Sequence, residues 1–553
     1  MNYVYGRLRT LLILIFVITS CRPSGIMDIN LVPDQLNLSP DYWCTWGAQN
    51  YATDTLSVKH SLALGGHSVT AGYLTEENVF GENGWSRAFP DMLRKDLILL
   101  FDLGWDVPGM LKFENAQWNL GSMMVAEDKF PSCTGSMEER LVKLNELVMA
   151  DGWKGTGLWV PSHPYGDRKN GVIMPDESVK NYYTKALSAS KNSGIKYWKI
   201  DYGFRGGDLK FRESLTRMAE QIYPGLYVEH GRGGGPLNDE ECPWDTPNYH
   251  KIGSYRTWDE GKVLQTVVEI ARISNVFRTY DITQQLSIPT TLDRVAQILS
   301  ELSGSGEKVI INCEDEPYIG AVLGCAVGIM RHPNMVQVPG YEYDPFGFKH
   351  RIDEVTRTVR WHRIAPAYGA GLSDNILDSV MLKDSWNFRE GDAWATWVTG
   401  REVIQIAPAR VARGMSLPEV TCEGEPPYVI CSKHPDGAVA IGTLARISSE
   451  RTIYYPLADV AVHLDDINFP VGIFGRFKSL TLIFPDRENL SKYKIYGQDL
   501  AGDSAIDITD MVDVEQNRIL IPGDVINKTG LAAASEGDLS EPGMVLKVKA
   551  NKR

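Results

Sequence analysis

A lysine and an aspartate two positions apart are the residues of this sequence best placed to do chemistry. Lys199 and Asp201 lie in a stretch, residues 197–203, that reads as a buried strand running into a turn. Side chains at positions i and i+2 of a strand point to the same side. The two would therefore face one cavity, where the cation would hold the carboxylate ionised. A buried ion pair accounts for the same spacing, so this pattern alone leaves catalysis and structure both open.

Similar carboxylates recur where other predicted strands end, and tryptophans accompany them. Hydrolysis of a glycosidic bond needs one carboxylate as nucleophile or base and one protonated carboxyl as acid. The placement at strand ends favours this chemistry over ordinary surface acids in a chain with 70 Asp and Glu residues. The acids are Asp102, Asp201, Glu229, Asp259, Glu260, Asp281 and Glu314 to Glu316, and the tryptophans are Trp46, Trp105, Trp159 and Trp258.

The elements that must position these side chains form a regular series. Between residues 40 and 365, apolar strand-like runs alternate with helical segments eight times. This alternation predicts an α/β fold, a (β/α)8 TIM barrel, whose active site lies at the C-terminal ends of the strands. The predicted strands are residues 42–46, 97–102, 157–160, 195–201, 226–229, 254–258, 276–280 and 308–312.

The remaining segments predict a second domain and an export signal. Short β-rich runs separated by turn residues predict a C-terminal all-β sandwich over 366–553, after a catalytic barrel over 40–365. Residues 1–21 are typical of a bacterial lipoprotein signal peptide: an apolar run ends in Ile18-Thr19-Ser20-Cys21, which resembles a lipobox with a lipidated cysteine. An ordinary secretory signal is the alternative. Residues 22–39 read as a tether, which predicts an exported protein anchored to a membrane only by lipid, in the periplasm or at the cell surface.

Composition excludes several functions. A net charge of −14 argues against nucleic acid, because nothing would neutralise backbone phosphates. The chain has no nucleotide-binding glycine motif on a strand–helix turn, so no organic cofactor is predicted. Its ten histidines are scattered and no Cys-x-x-Cys occurs, which argues against structural zinc. The acidic run Glu314 to Glu316 could bind a hard cation, but a solvated or hydroxyl-binding run is favoured. The expected partner is an oligosaccharide or polysaccharide substrate.

Several of these motifs, in this order, resemble the α-galactosidase-like clan of glycoside hydrolases, families 27 and 36. Lys199-Ile200-Asp201 is similar to the clan's Lys-x-Asp, and Asp102-Leu103-Gly104-Trp105 to its Asp-Asp-Gly-Trp on strand two. Residues 255–259, which contain Arg256 and Asp259, resemble its arginine-containing segment on strand six. A barrel followed by a β-sandwich is also the clan's arrangement. The resemblance therefore covers most of the chain after the signal segment.

The resemblance implies a retaining hydrolase of an α-linked sugar. Asp201 would be the nucleophile, and Asp259 or Glu260 the acid/base. Residues 278–281 repeat the arginine-containing pattern, so Asp281 is a further candidate for the acid. Leu103 replaces the second aspartate of the strand-two motif, which puts galactose itself in question. A surface lipoprotein that binds carbohydrate without catalysis is the alternative function. The residues expected to contact substrate are Lys199, Asp102, Trp105, Glu229, Arg256 and Trp46.

Overall fold

The structure is a computed structural model of the 553-residue chain. It describes residues 26–27, 29–53, 67–107, 118–119, 121–162, 165–167, 172–173, 176–201, 205–206, 208–231, 260–279, 288–334, 350–378, 409–447, 453–485 and 490–550. No helix among these residues is sufficiently long and apolar to span a bilayer.

Eight parallel strands form a barrel, which confirms the predicted fold class. Each strand is short and almost wholly buried, because helices cover the barrel outside and side chains fill it inside. In sheet order from the first barrel strand to the eighth, they are Tyr42–Cys44, Ile98–Phe101, Gly155–Val160, Tyr197–Ile200, Tyr227–Gly231, Val276–Arg278, Ile310–Asn312 and Gly328–Ile329.

The sixth and eighth strands differ from the predicted ones. Predicted strand 254–258 lies outside the described residues, but Val276–Arg278 pairs directly with the fifth strand, so no strand stands between them. The prediction that 254–258 is the sixth barrel strand is therefore wrong. Gly328–Ile329 takes the eighth place, pairing with the first strand, and a bridge between Asn312 and Ala326 closes the ring.

Helices follow most barrel strands and pack on their outer faces. The helix after the second strand starts with a capping box, in which Ser136 and Glu139 each bond the other's backbone N–H. Segments predicted as helical at 137–149, 177–190, 261–273 and 291–302 are all helical. The helices are Trp46–Thr53, His67–Gly72, Glu76–Phe80, Asp91–Arg94, Met137–Ala150, Asp176–Ser193, Leu209–Ile222, Glu260–Arg272, Ile288–Leu302, Pro317–Leu323, Ile352–Trp361 and, in the second domain, Gly523–Gly530.

The second domain is a β-sandwich, as predicted. Two sheets, one of nine strands and one of five, contribute side chains to a shared apolar core. The nine strands, in sheet order, are Ile26–Met27, Ala505–Asp507, Tyr493–Asp499, Gly543–Ala550, Val471–Phe474, Val439–Leu444, Tyr428–Lys433, Arg410–Arg413 and Asn375–Leu377. The five are Glu419–Thr421, Asp459–His463, Ser479–Ile483, Arg518–Pro522 and Asp513–Glu515. Smaller sheets join Arg446–Ile447 to Ile453–Tyr454, and Trp118–Asn119 to Tyr165–Asp167 and Val172–Ile173.

Buried polar contacts join the two domains. Arg357, on the last barrel helix, makes a bidentate ion pair with Asp499 of the sandwich. Its Nε lies 2.9 Å from Oδ1 and its Nη2 lies 3.2 Å from Oδ2. Arg413 of the sandwich donates to the barrel carbonyl of Leu323 at 2.6 Å. Both arginines are fully buried. The Asp499 carboxylate compensates the buried charge of Arg357, so loss of either partner would be destabilising.

The part of the predicted tether that the structure describes is not a free linker. Ile26–Met27 adds an edge strand to the sandwich by pairing with Ala505 and Ile506. Val32 is 2% exposed in a core shared by the two domains. Residues 29–41 then continue to the start of the first barrel strand. The backbone pairing of Ile26–Met27 and the packing of Leu31 and Val32 in the apolar core therefore hold this segment to the protein.

Candidate active site

Asp201 lies at the mouth of the barrel, directly after the fourth strand. Its side chain is 27% exposed, while that of Arg278 beneath it is 1% exposed. Oδ1 lies 3.3 Å from Arg278 Nη2, and Oδ2 accepts a hydrogen bond from Trp159 Nε1 at 2.9 Å. Burial acts to raise the pKa of Asp201, but the charges of Arg278 and Lys199 and these hydrogen bonds outweigh it and lower the pKa to about 2. Asp201 is therefore an ionised carboxylate with access to solvent.

Lys199 lies near enough to Asp201 for its charge to act on that carboxylate, but its direct partner is a different residue. Lys199 Nζ donates to Asp102 Oδ2 at 2.6 Å, and Cys44 Sγ lies 3.1 Å from the same oxygen. Burial acts to lower the pKa of Lys199, but the Asp102 charge outweighs it and raises the pKa above its usual range. The ion pair is 4% exposed on both sides. The Lys199 ammonium therefore acts on Asp201 through its electrostatic field and not through a hydrogen bond.

Glu229 lies deeper in the barrel than a residue that contacts substrate would. It is fully buried inside the barrel, where Tyr197 donates to its Oε2 at 2.6 Å and Asn312 donates at 3.0 Å. Arg278 Nη1 lies 3.9 Å from Glu229 Oε1. Burial raises the pKa of Glu229, and Arg278 opposes that rise. Glu229 therefore holds Arg278 from below, on the side opposite Asp201, so the predicted contact with substrate is not the role its position favours.

A second buried acid lies beside Glu229. Tyr42 Oη donates to Glu314 Oε1 at 2.5 Å and also lies 3.3 Å from Glu229 Oε2. The other oxygen of Glu314 has no hydrogen-bond partner among the described residues. Burial raises the pKa of Glu314 well above its usual range; Arg278 opposes the rise and the Glu229 charge adds to it. Burial and the neighbouring Glu229 charge therefore favour the protonated form of Glu314.

The acidic run that contains Glu314 is buried, which contradicts the solvated surface favoured from the sequence. Asp315 has a left-handed backbone, with φ of 58°. Its Oδ1 accepts the N–H groups of Met330 and Arg331 at 3.0 and 3.3 Å, which fixes the end of the eighth strand. Burial raises the pKa of Glu316 to about 8. No group of three or more potential ligands that could hold a metal occurs in the described part of the chain.

Trp46 and Trp105, the two tryptophans predicted to contact substrate, both follow barrel strands, but only Trp46 is accessible. Trp46, after the first strand, is partly buried and packs on the residues that fill the barrel. Trp105 is fully buried, and its Nε1 donates to the carbonyl of Trp159 at 2.9 Å. A buried ring cannot stack on a sugar, so the predicted substrate contact of Trp105 is replaced by a structural one.

The predicted acid/base residues are not all within the described chain. Arg256 and Asp259 lie outside it, and Glu260 is the first residue of helix Glu260–Arg272. That helix follows the fifth strand, so its start is at the mouth end of the barrel. The sixth strand carries Arg278 instead, which the structure places against Asp201. The repeated pattern at 278–281 was the sequence signal for this residue, and Asp281, outside the described residues, follows it by three positions.

Comparisons with known proteins find similarity in structure alone. No family model and no curated protein matches the sequence. A family 27 β-L-arabinopyranosidase from Geobacillus stearothermophilus matches at 10% identity and a TM-score of 0.37, over 93% of this chain and 98% of that one. A putative α-galactosidase from Bacteroides fragilis matches at 11% and 0.37, over 95% and 81%. A putative α-N-acetylgalactosaminidase from Bacillus halodurans matches at 10% and 0.32, over 95% and 100%.

Proposed function

We propose that this protein is a glycoside hydrolase that cleaves an α-linked sugar with retention, using Asp201 as the nucleophile. The observation that carries the proposal is the state of Asp201, an ionised carboxylate at a barrel mouth, fixed by Arg278 and Trp159. A nucleophile of this kind must be unprotonated, correctly oriented and open to substrate.

In this mechanism Asp201 attacks the anomeric carbon as the C–O bond to the leaving group breaks, which gives a glycosyl ester. Trp159 and Arg278 aim its two oxygens. The remaining hydrogen-bonding capacity of Lys199 and Asp102 suits sugar hydroxyls. Water then hydrolyses the ester and returns the carboxylate to its original state.

An acid must protonate the leaving oxygen and then activate that water. The place of Arg278 on the sixth strand favours Asp281, because the clan that the sequence resembles carries its acid/base just after the strand-six arginine. Asp259 and Glu260, in the connection that follows the fifth strand, are the alternatives. The lipobox-like ending at Cys21 supports an exported, lipid-anchored enzyme acting on oligosaccharides or polysaccharides outside the cytoplasm.

The test is hydrolysis of aryl α- and β-glycosides by residues 22–553. We expect turnover of at least one α-glycoside, and a loss on the order of 10⁴-fold in Asp201→Asn. Asp281→Asn is expected to slow hydrolysis of substrates with poor leaving groups by about 10²–10⁴-fold. With activated aryl glycosides, for which breakdown of the glycosyl ester limits the rate, azide is expected to restore the rate of Asp281→Asn but not to affect Asp259→Asn or Glu260→Gln.

Each other result has a definite meaning. Full activity in Asp201→Asn would refute the nucleophile. Azide rescue of Asp259→Asn or Glu260→Gln, and not of Asp281→Asn, would transfer the acid/base role to that residue. Sugar binding without turnover of any glycoside would replace the hydrolase with a carbohydrate-binding lipoprotein.

A further inference from the structure

Two exposed leucines lie at the end of the barrel opposite the mouth. Leu36 is 59% exposed and Leu38 is 68% exposed, while Asn37 between them is fully buried. The Asn37 side chain donates to Asp41 Oδ2 at 2.6 Å, and its backbone N–H donates to Asp96 Oδ1 at 3.2 Å. Because Asn37 is fixed at both points, the two leucines are held outward in a defined position.

The contacts of this segment place it beneath the N-terminal ends of the barrel strands. Tyr227, the first residue of the fifth strand, donates from Oη to the carbonyl of Leu38 at 3.2 Å. Lys154, just before the third strand, donates to the carbonyl of Ser39. Asp201 follows the opposite end of its strand. The leucines therefore face away from the candidate active site.

The same end of the barrel carries three lysines without a close carboxylate, in a protein whose net charge is −14. Glu213, Glu220 and Glu307 also lie at this end. Lys95, Lys196 and Lys308 stand just before the second, fourth and seventh strands. Lys95 is partly exposed and the other two are exposed. None of the three ammonium groups has a carboxylate within 4 Å in the described part of the chain, whereas the nearby Arg217 and Arg272 each lie beside a glutamate.

The chain segment between Cys21 and this face is short and is fixed to the sandwich at Ile26 and Met27. The backbone at Ile26 and Met27 is paired with the sandwich, and Cys21, the predicted lipid attachment, is five residues before Ile26. Five extended residues span at most about 18 Å. Residues 29–41 then lead directly to the two leucines. A lipid on Cys21 would thus hold the bilayer within about 18 Å of Ile26, which precedes Leu36 by ten residues.

We propose that the barrel end formed by Leu36, Leu38, Lys95, Lys196 and Lys308 is a membrane-docking face that takes the surface of an anionic lipid bilayer. The leucines enter the interface between headgroups and acyl chains, and the lysines lie against anionic headgroups. The mouth that contains Asp201 then points away from the membrane, towards soluble or extended substrates. A polysaccharide fits this face less well, since leucine side chains provide no flat ring for stacking.

The docking chemistry does not depend on the lipid anchor, so it is tested first without one. Residues 22–553 are sedimented with sucrose-loaded vesicles of phosphatidylcholine, with or without phosphatidylglycerol. We expect binding to anionic vesicles that weakens with salt and falls at least about tenfold in Leu36→Asn/Leu38→Asn. Lys196→Glu/Lys308→Glu is expected to abolish the preference for anionic lipid. The matched controls, Leu457→Asn/Leu539→Asn and Lys180→Glu/Lys185→Glu, alter equally exposed residue types elsewhere and are expected to bind like the unmodified protein.

A second measurement reports orientation when affinity is weak. A histidine tag in place of residues 1–21 holds the protein on vesicles with nickel-chelating lipid, in a Cys422→Ser background because Cys422 is partly exposed. Cys242, which lies outside the described residues, is also changed to Ser so that only the introduced cysteine is labelled. A fluorophore on Leu38→Cys is expected to become shielded from an aqueous quencher, while one on Leu457→Cys is not. Equal quenching at both positions, or unchanged vesicle binding by Leu36→Asn/Leu38→Asn, would overturn the proposal. Neither result depends on glycosidase activity.

Discussion

Lys199 Nζ lies 2.6 Å from Asp102 Oδ2, and this pair connects the second barrel strand to the fourth. Asp201, two residues beyond Lys199, accepts hydrogen bonds from Arg278 and Trp159 instead. The two carboxylates consequently have separate cations. Asp102 neutralises a buried lysine, and Asp201 keeps a solvent-facing position in which it can react.

The first prediction concerns Asp102→Asn. Removing one member of a buried ion pair leaves an uncompensated charge, which typically costs about 3–5 kcal/mol. We expect a clearly lower midpoint of urea unfolding and reduced glycosidase activity. Asp459→Asn breaks the exposed pair with Lys478 and is expected to change the midpoint little, because solvent screens that pair. Equal unfolding midpoints for the two variants would contradict a stabilising role for the Lys199–Asp102 ion pair.

The second prediction concerns the acid limb of the pH–rate profile. Arg278 lowers the pKa of Asp201 to about 2, so its removal raises that pKa and protonates the nucleophile at higher pH. An opposite charge at this range is worth about 1–3 pKa units. In Arg278→Gln the acid limb of kcat/KM should therefore move to higher pH by that amount. Arg278→Lys keeps the charge and should move it less. An unmoved limb in Arg278→Gln would show that another group sets it.

The fold was largely predictable from the sequence because buried parallel strands are continuous apolar runs. The segments at 97–102 and 157–160 have that form, and the helices between them show clear periodicity. The eighth strand, Gly328–Ile329, is two residues long and follows a glycine-containing turn, so no local pattern indicates it. Its place depends on distant pairing with the first strand, which a local reading of the sequence cannot supply.

The candidate site was predictable in its residue types but not in its pairings. Lys199 lies beside Asp102 and acts electrostatically on Asp201, and alternation along the fourth strand explains why Lys199 and Asp201 are near each other. Which carboxylate Lys199 contacts depends on the register between neighbouring strands. The error in the sixth strand affected the predicted site more than the unknown register did, because it assigned to Arg256 the position that Arg278 occupies.

The third prediction concerns Glu314 and the pH dependence of stability. Its pKa is raised in the folded state, so above the unfolded value near 4.5 the folded protein holds a proton that the unfolded chain has lost. Stability must then fall as pH rises through that window, by about 1.4 kcal/mol per pH unit for one proton. Glu314→Gln mimics the protonated acid and removes this dependence.

In chemical unfolding experiments, the free energy of unfolding of Glu314→Gln should therefore rise relative to that of the unmodified protein as the pH is raised from 5 to 8. Glu515→Gln, at an exposed position of the sandwich, is the matched control and should run parallel to the unmodified protein. A constant difference between Glu314→Gln and the unmodified protein over this range would mean that Glu314 is ionised in the fold.

The fourth prediction concerns the N-terminal strand. Deleting residues 22–32 removes the pairing of Ile26 and Met27 with Ala505 and Ile506, and it empties the site of Val32. Loss of the buried valine alone costs about 1.5–3 kcal/mol. The uncovered edge strand also becomes a template for pairing between molecules. We expect a lower unfolding midpoint and concentration-dependent light scattering, whereas a deletion of residues 22–25 should show neither. If the longer deletion stayed monomeric and equally stable, residues 26–32 would be the passive tether that their sequence position first indicates.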